Sequence, residues 1–289
     1  MKRKVAIIGS GIAGLTAANL LKKNSDFKVM VYEKEKILSL EEGYGIQLAP
    51  NSISILNKVG FSNIENNNFF NPSKLNFYST NNSKICDLDL TRFNTDTIKY
   101  TTLKRSVLIE FLKEELFSSN IRFGKEVRKV SKIKEKLLIN FSDNTNDLVD
   151  FVIVSDGVFS RTKSIIENKT VKPIYNGSIA IRTVIKSSEE LSYEDKNISL
   201  IMFPNAHIVI YPVNKKNELN VVCTVRQKSF QNKKDIHSII KKAILSQNEN
   251  LKNLFKGHLE SWPVYITKKP SKSLYENLFY LGDAFYTFP

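Results

Sequence analysis

Val5-Ala6-Ile7-Ile8-Gly9-Ser10-Gly11-Ile12-Ala13-Gly14 stands near the start of the chain, and the reading of this stretch decides the fold. Four apolar residues predict a strand, and the Gly-x-Gly-x-x-Gly run that follows predicts a sharp turn into a helix. Leu15, Ala18, Leu20 and Leu21 among Lys22, Lys23 and Asn24 supply that helix, and Val29-Met30-Val31-Tyr32 a second strand closed by Glu33. Each glycine has its own task. Gly9 lets the chain leave the strand abruptly, Gly11 lets backbone approach a pyrophosphate, and Gly14 lets the helix lie close to the sheet. The helix N-terminus offers free N–H groups to phosphate oxygens. Glu33 follows Gly14 by 19 residues, near the spacing of ~20 expected of a carboxylate that takes an adenosine ribose. The order strand, glycine loop, helix, strand, acid points to an ADP-containing dinucleotide.

Working outward, 289 residues allow one large domain or two ordinary ones, and 42% hydrophobic content suffices for a real core. No apolar run approaches membrane-spanning length, and the short stretch after Met1-Lys2-Arg3-Lys4 is no signal peptide. Cys86 and Cys223 lie in no metal-ligand spacing and read as reduced thiols of a cytoplasmic protein. The formal charge of +14 is spread along the chain. Its densest part, Lys125 to Lys136, alternates apolar and charged residues as a strand with one wet face does. No recognition motif for nucleic acid accompanies the charge. Such a surface would attract acidic substrates, NADPH phosphates or an anionic membrane.

Beyond Glu33, the polar segment Gly43 to Asn51 leads to a predicted helix from Ser52 to Val59, and Asn63 to Asn82 reads as loop with one strand at 75–78. A helix is predicted from Arg105 to Phe117, then strands at 121–123, 127–133 and 137–141. Phe151-Val152-Ile153-Val154 reads as a strand buried on both faces. From Tyr175 onward, strands at 177–185, 198–203, 207–213 and 219–226 predict an antiparallel sheet and hence a second domain. A helical pair is expected over Lys234 to Phe255, and a last buried strand at 278–281.

Asp156-Gly157-Val158-Phe159-Ser160 after the buried strand, Gly282-Asp283-Ala284 after the last strand, and Arg105-Ser106-Val107-Leu108 at the mid-chain helix occur together with the N-terminal fingerprint. With these, the chain resembles the flavin-dependent aromatic hydroxylases of the p-hydroxybenzoate hydroxylase type over nearly its whole length. The resemblance implies an α/β fold, with a Rossmann-like FAD-binding domain from residues 1–72, 101–173 and 274–289 and a smaller antiparallel-sheet substrate domain from 73–100 and 174–273. It implies FAD held by Gly9, Gly11, Ile12, Ala13, Gly14, Glu33, Arg105, Asp156, Gly157, Gly282 and Asp283. Asp156 would also serve NAD(P)H docking. NAD(P)H would supply reducing equivalents and O2 the oxygen atom placed on a small aromatic ring, with no metal.

The middle sheet resembles the same family. Gly177 to Arg182 is similar to its opening strand, and His207 to Val213 to the strand that walls the ring. His207 and Tyr211 are four apart, so on a strand both point to one face. The resemblance makes them the catalytic candidates, with Gln47 a candidate for the substrate pocket. Tyr286 replaces the family's His, and Lys163 its Arg. The family continues past the position of Pro289, so the resemblance implies a C-terminally truncated chain. Two other readings stay open: a flavin hydroxylase of quinone biosynthesis in peripheral contact with a membrane, and a non-catalytic remnant that binds the dinucleotide.

Overall fold

The computed structural model describes residues 1–37, 44–116, 120–186, 196–229 and 236–288. Gly43, Phe117, Lys234 and Pro289 lie outside the described residues. The chain divides into two compact units, residues 1–40, 108–176 and 265–289 in one, and 41–107 and 177–264 in the other. The expected division differs, because 41–72 and 101–107 fall in the second unit. The strands Gly45–Leu48 and Thr101–Lys104 explain this: they pair with each other, and Thr102 Oγ1 donates to the Pro212 carbonyl.

The first unit is built on a five-stranded parallel sheet in the order Leu278–Tyr280, Phe151–Val154, Arg3–Ile8, Phe27–Tyr32, Ile121–Arg122. Ala6, Ile8, Val152, Val154, Leu278 and Tyr280 share one face and pack on Val127, Val130, Leu137, Ile139 and Phe141 of a three-stranded antiparallel sheet. In Val127–Ile133 the valines Val127 and Val130 are buried while Arg128, Lys129 and Lys132 face water, so this basic stretch is a solvated sheet face. The helix Ile12–Lys22 packs on the first two strands. Buried Asn19 ties it to the helix Arg105–Leu116 by donating to the Leu112 carbonyl at 2.7 Å.

Two expectations here need correction. Phe151–Val154 is only half buried, with Val152 and Val154 inside and Phe151 and Ile153 partly exposed. The last strand, Leu278–Tyr280, expected to be buried, is an edge strand whose Phe279 is 50% exposed. Apolar residues alone do not distinguish an edge strand from one covered on both sides.

The second unit carries a seven-stranded sheet in the order Glu260–Ile266, Ile174–Lys186, Glu218–Arg226, Ala206–Pro212, Ile198–Phe203, Lys74–Tyr78, Lys84–Asp89. From Ile174–Lys186 through Ile198–Phe203 the strands pair antiparallel as expected, Lys74–Tyr78 then joins Ile198–Phe203 in parallel, and Lys84–Asp89 pairs antiparallel with Lys74–Tyr78. Its two faces differ sharply. On one, Ile179, Ile181, Ile201, Ile208, Ile210, Val221, Cys223 and Val225 are all buried, each contributing about 1.5–3 kcal/mol by leaving water. The opposite face grades from closed to open. The cross-strand row of Asn220 and Tyr211 is buried, the row of Arg182, Val222, Val209 and Leu200 is half exposed, and the row of His207 and Met202 is exposed. The expected helical pair is a short helix, Ile236–Ile240, continued by a π-turn and a separate 3-10 segment Glu249–Phe255. The predicted helix at 52–59 begins earlier, at Pro50, since proline suits the first helical turn.

Candidate functional site

In the first unit the three glycines of the fingerprint separate by what they meet. Gly9 has φ +99°, and a Cβ there would lie 2.7 Å from the Ser155 carbonyl oxygen. A Cβ on Gly14 would lie 2.1 Å from the Gly9 carbonyl oxygen and 2.6 Å from Ser155 Oγ. A Cβ on Gly11 would meet nothing within 4 Å. The fold therefore requires Gly9 and Gly14 to be glycine, and nothing among the described residues requires it of Gly11. What Gly11 leaves open is space beside an uncapped helix N-terminus, since Gly11 is the N-cap and no side chain bonds the first-turn N–H groups. This is the cradle a pyrophosphate fits.

Glu33 follows the second strand and turns back onto this loop. Its Oε2 accepts from Ser10 N–H at 2.9 Å and Ser10 Oγ–H at 2.7 Å, and Oε1 accepts from Glu35 N–H at 3.0 Å. A carboxylate has roughly four acceptor positions, so lone pairs remain for hydroxyl donors.

The two other motifs converge on the same loop. Ser155 and Asp156 lie against Gly9, and Gly282, at φ +58°, approaches so closely that its Cβ would be 2.9 Å from the Ala13 Cβ. Asp156 Oδ2 accepts from Thr162 N–H at 3.3 Å, while its buried Oδ1 has no hydrogen-bond partner. A carboxylate oxygen held out of water without a donor costs free energy unless a ligand donates to it. Gly157, at φ +85°, leaves open space as Gly11 does. Ser160 rather than Asp156 caps the helix Arg161–Ile166, accepting from Lys163 N–H. Buried Lys163 reaches toward the Ala284 carbonyl at 3.5 Å, tying the Gly282-Asp283-Ala284 turn down. Asp283 is exposed on its outer side, yet desolvation on its inner side raises its carboxyl pKa. Gly9, Gly11, Ile12, Ala13, Gly14, Glu33, Asp156, Gly157, Gly282 and Asp283 are thus gathered in the first unit. Half-buried Arg105 belongs to the second unit, its N–H bonded to the Tyr44 carbonyl.

In the second unit His207 and Tyr211 share the graded sheet face, as their spacing predicts. Four residues of strand separate them by roughly 13 Å. Tyr211 is 3% exposed at the closed end, and burial pushes its hydroxyl well above the usual phenol range. His207 stands at the open end, where partial desolvation lowers its pKa and favours the neutral ring. Gln47 Oε1 accepts from Tyr100 Oη–H at 2.9 Å, and Gln47 also interacts with the Tyr211 hydroxyl. Gly45 makes this possible: a Cβ there would lie 2.7 Å from the Tyr211 ring and 2.8 Å from the Asn220 Cβ. Gln47 and Tyr211 are thus together, while His207 is apart from them.

Sequence reasoning missed Ser10, Tyr100, Arg182 and Trp262. Arg182 carried one signal, a lone charge inside Ser178-Ile179-Ala180-Ile181-Arg182-Thr183-Val184.

Comparison with known proteins bears on the family and the fold. A family profile described as an NAD(P)-binding Rossmann-like domain matches residues 7–41. FAD-dependent monooxygenase pigN of Monascus ruber is 30% identical over 76% of this chain, and 6-hydroxynicotinate 3-monooxygenase of Pseudomonas fluorescens 29% identical over 64%. The homologues are FAD-dependent aromatic monooxygenases. The chain spans about half the length of these relatives, 54% and 48%. The structure of HpxO of Klebsiella pneumoniae complexed with FAD and uric acid superposes with a TM-score of 0.87 at 18% identity, covering 99% of this chain and 74% of that one. This likeness establishes the shared fold, an α/β architecture with a parallel Rossmann-like sheet and separate antiparallel sheets. Among the described residues no helix is long and apolar enough to cross a membrane.

Proposed function

We propose that this chain binds FAD and acts as an NAD(P)H- and O2-dependent monooxygenase on a small aromatic substrate. The observation that carries this reading is the convergence of Asp156-Gly157 and Gly282-Asp283 on a fingerprint loop whose Gly11 is left open by the fold. When bound, FAD supplies the redox chemistry, accepting hydride from NAD(P)H and activating O2. Gly11 and the first-turn N–H groups of Ile12 and Ala13 face the pyrophosphate, and Glu33 accepts from the adenosine ribose hydroxyls. Asp156 and Asp283 hold the remainder of the cofactor within the first unit. Gln47 and Tyr211 orient the ring, and neutral His207 takes a proton from a substrate hydroxyl. Two free thiols, Cys86 and Cys223, favour a cytoplasmic setting. Mixing the purified chain with FAD tests the reading: uptake of flavin and substrate-stimulated NAD(P)H oxidation support it, and tight NAD binding without flavin uptake overturns it.

Two substitutions test single assignments. Glu33→Ala removes the ribose acceptor and should weaken FAD binding by about ten- to a hundredfold, or 1.5–3 kcal/mol. Unchanged affinity in a flavin fluorescence titration would remove Glu33 from the site. Asp283→Asn should separate binding from stability. Because desolvation raises the folded-state pKa of Asp283, the folded chain binds that proton more tightly than the unfolded chain does. Stability from this group is present at acid pH and lost as pH rises through the folded pKa. The Asn variant escapes that loss, so its melting temperature relative to the parent should be higher at pH 7 and the difference should shrink toward acid pH. FAD affinity should fall about tenfold over the same comparison. A variant less stable than the parent at pH 7 contradicts this account.

A further inference from the structure

Resting on the monooxygenase reading, we propose that the ring this chain takes carries a long apolar tail, which lies along one cross-strand row of the seven-stranded sheet. The row crosses six strands without a break. Arg182 stands beside Val222, Val222 beside Val209, Val209 beside Leu200, Leu200 beside Phe77, and Phe77 beside Cys86. Residues paired in this way share one face of a sheet, and neighbouring strands are ~4.8 Å apart, so the row is about 24 Å long. Val222, Val209, Leu200 and Phe77 are half exposed, and Cys86 is exposed. The packed layer lies on the opposite face and leaves these apolar side chains partly in water.

The two ends of the row differ. At one end stand Arg182, its Cζ 5.8 Å from the centre of the Trp262 ring, and the cluster of Gln47, Tyr100 and Tyr211. From Val222 to Phe77 no residue of the row carries a charge or a hydrogen-bonding side chain. Ligand sites join a few convergent polar groups to an apolar lining, and here the lining runs on for about 19 Å past the polar end, farther than one aromatic ring reaches. Ile198 and Leu75 flank the row on one side, His207 and Met202 on the other. A strip of this length and about 7 Å in width offers roughly a fifth of the ~800 Å² that each partner gives to a stable protein interface. It is too narrow for a second copy of the chain. It suits a linear alkyl or prenyl-like chain, whose methylenes gain free energy by leaving water.

Cys86 makes the test direct, because it is exposed at the far end of the row while the other cysteine, Cys223, is buried on the opposite face. The rate at which a thiol-reactive aromatic disulfide modifies Cys86 is measured with para-ethylphenol, para-octylphenol and para-dodecylphenol, each below its aggregation threshold. The dodecyl tail should slow modification at least tenfold and the ethyl tail should leave it unchanged. Affinity, followed by the fluorescence of Trp262, the only tryptophan in the chain, should rise at least a hundredfold from ethyl to dodecyl. Leu200→Gln, which sets an amide in the middle of the row, should abolish the protection. Circular dichroism confirms folding, and if that variant fails to fold, Val209→Thr decides, with an expected loss of about tenfold for the dodecyl probe and none for the ethyl probe. Equal protection by all three probes, protection that persists in the folded Leu200→Gln variant, or no response to any probe would overturn the assignment. Protection that grows with protein concentration in the absence of probe would give the row to a second copy and overturn it as well. FAD uptake is measured separately: flavin uptake without tail-dependent protection sinks this inference alone, and tail-dependent protection without flavin uptake sinks the monooxygenase reading alone.

Discussion

Gly14→Ala will leave a chain that is destabilised by about 3 kcal/mol or more and takes up no FAD, whereas Gly11→Ala will fold as the parent does and lose the cofactor selectively. A Cβ at position 14 would sit 2.1 Å from a backbone oxygen, and backbone cannot rotate aside as a side chain can. Overpacking of that kind belongs at the top of the usual range of ~1–3 kcal/mol or beyond it. At position 11 the added methyl meets no protein atom, and the backbone there is extended at φ −74° and ψ 177°, which alanine adopts freely. Its stability should stay within about 0.5 kcal/mol of the parent. The methyl would stand between the loop and the pyrophosphate, with an expected affinity loss on the order of 10²-fold, near 2.7 kcal/mol. Thermal melts and flavin titrations of the two variants check both halves. Equal FAD affinity in Gly11→Ala and the parent would show that the open space is not the phosphate cradle.

The second large effect concerns proton transfer. His207→Ala should lower ring hydroxylation by on the order of 10²-fold, with FAD content unchanged and NAD(P)H oxidation continuing to yield hydrogen peroxide. The lowered pKa of His207 sets the pH behaviour. The ring must be neutral to accept a proton, so activity should fall on the acid side only below the ordinary histidine value of ~6.5, and that limb should vanish in the variant. Tyr211→Phe should act differently, weakening substrate binding about tenfold by removing one hydrogen bond to the Gln47 cluster. If His207→Ala hydroxylates normally while Tyr211→Phe does not, the chemistry belongs to the closed end of the sheet face.

Much of the dinucleotide architecture was legible because its signals are local. The turn at Gly9, the helix at Gly14 and the acid at Glu33 lie in one continuous segment, where backbone sterics and spacing act directly. The shared face of His207 and Tyr211 was legible for the same reason, as strand alternation needs no distant partner. What escaped depends on contacts between segments remote in the chain. Tyr100 enters through its bond to Gln47, and Trp262 matters through the neighbouring strand that carries Arg182. The edge position of Leu278–Tyr280 is likewise a fact of sheet order, which three apolar residues cannot encode.

The unlike faces of the seven-stranded sheet bear on how such a chain can change over generations. The residues that keep this unit folded, such as Ile181, Ile208, Val221 and Cys223, point one way, and Arg182, Leu200, Met202, His207 and Thr224 point the other. A substitution in the second group changes the open face, where we place the ligand, and leaves the packed layer untouched. Mutational drift toward a new ring chemistry can therefore proceed one residue at a time without passing through unfolded ancestors, because alternation along each strand keeps selection for foldedness and selection for ligand on separate positions.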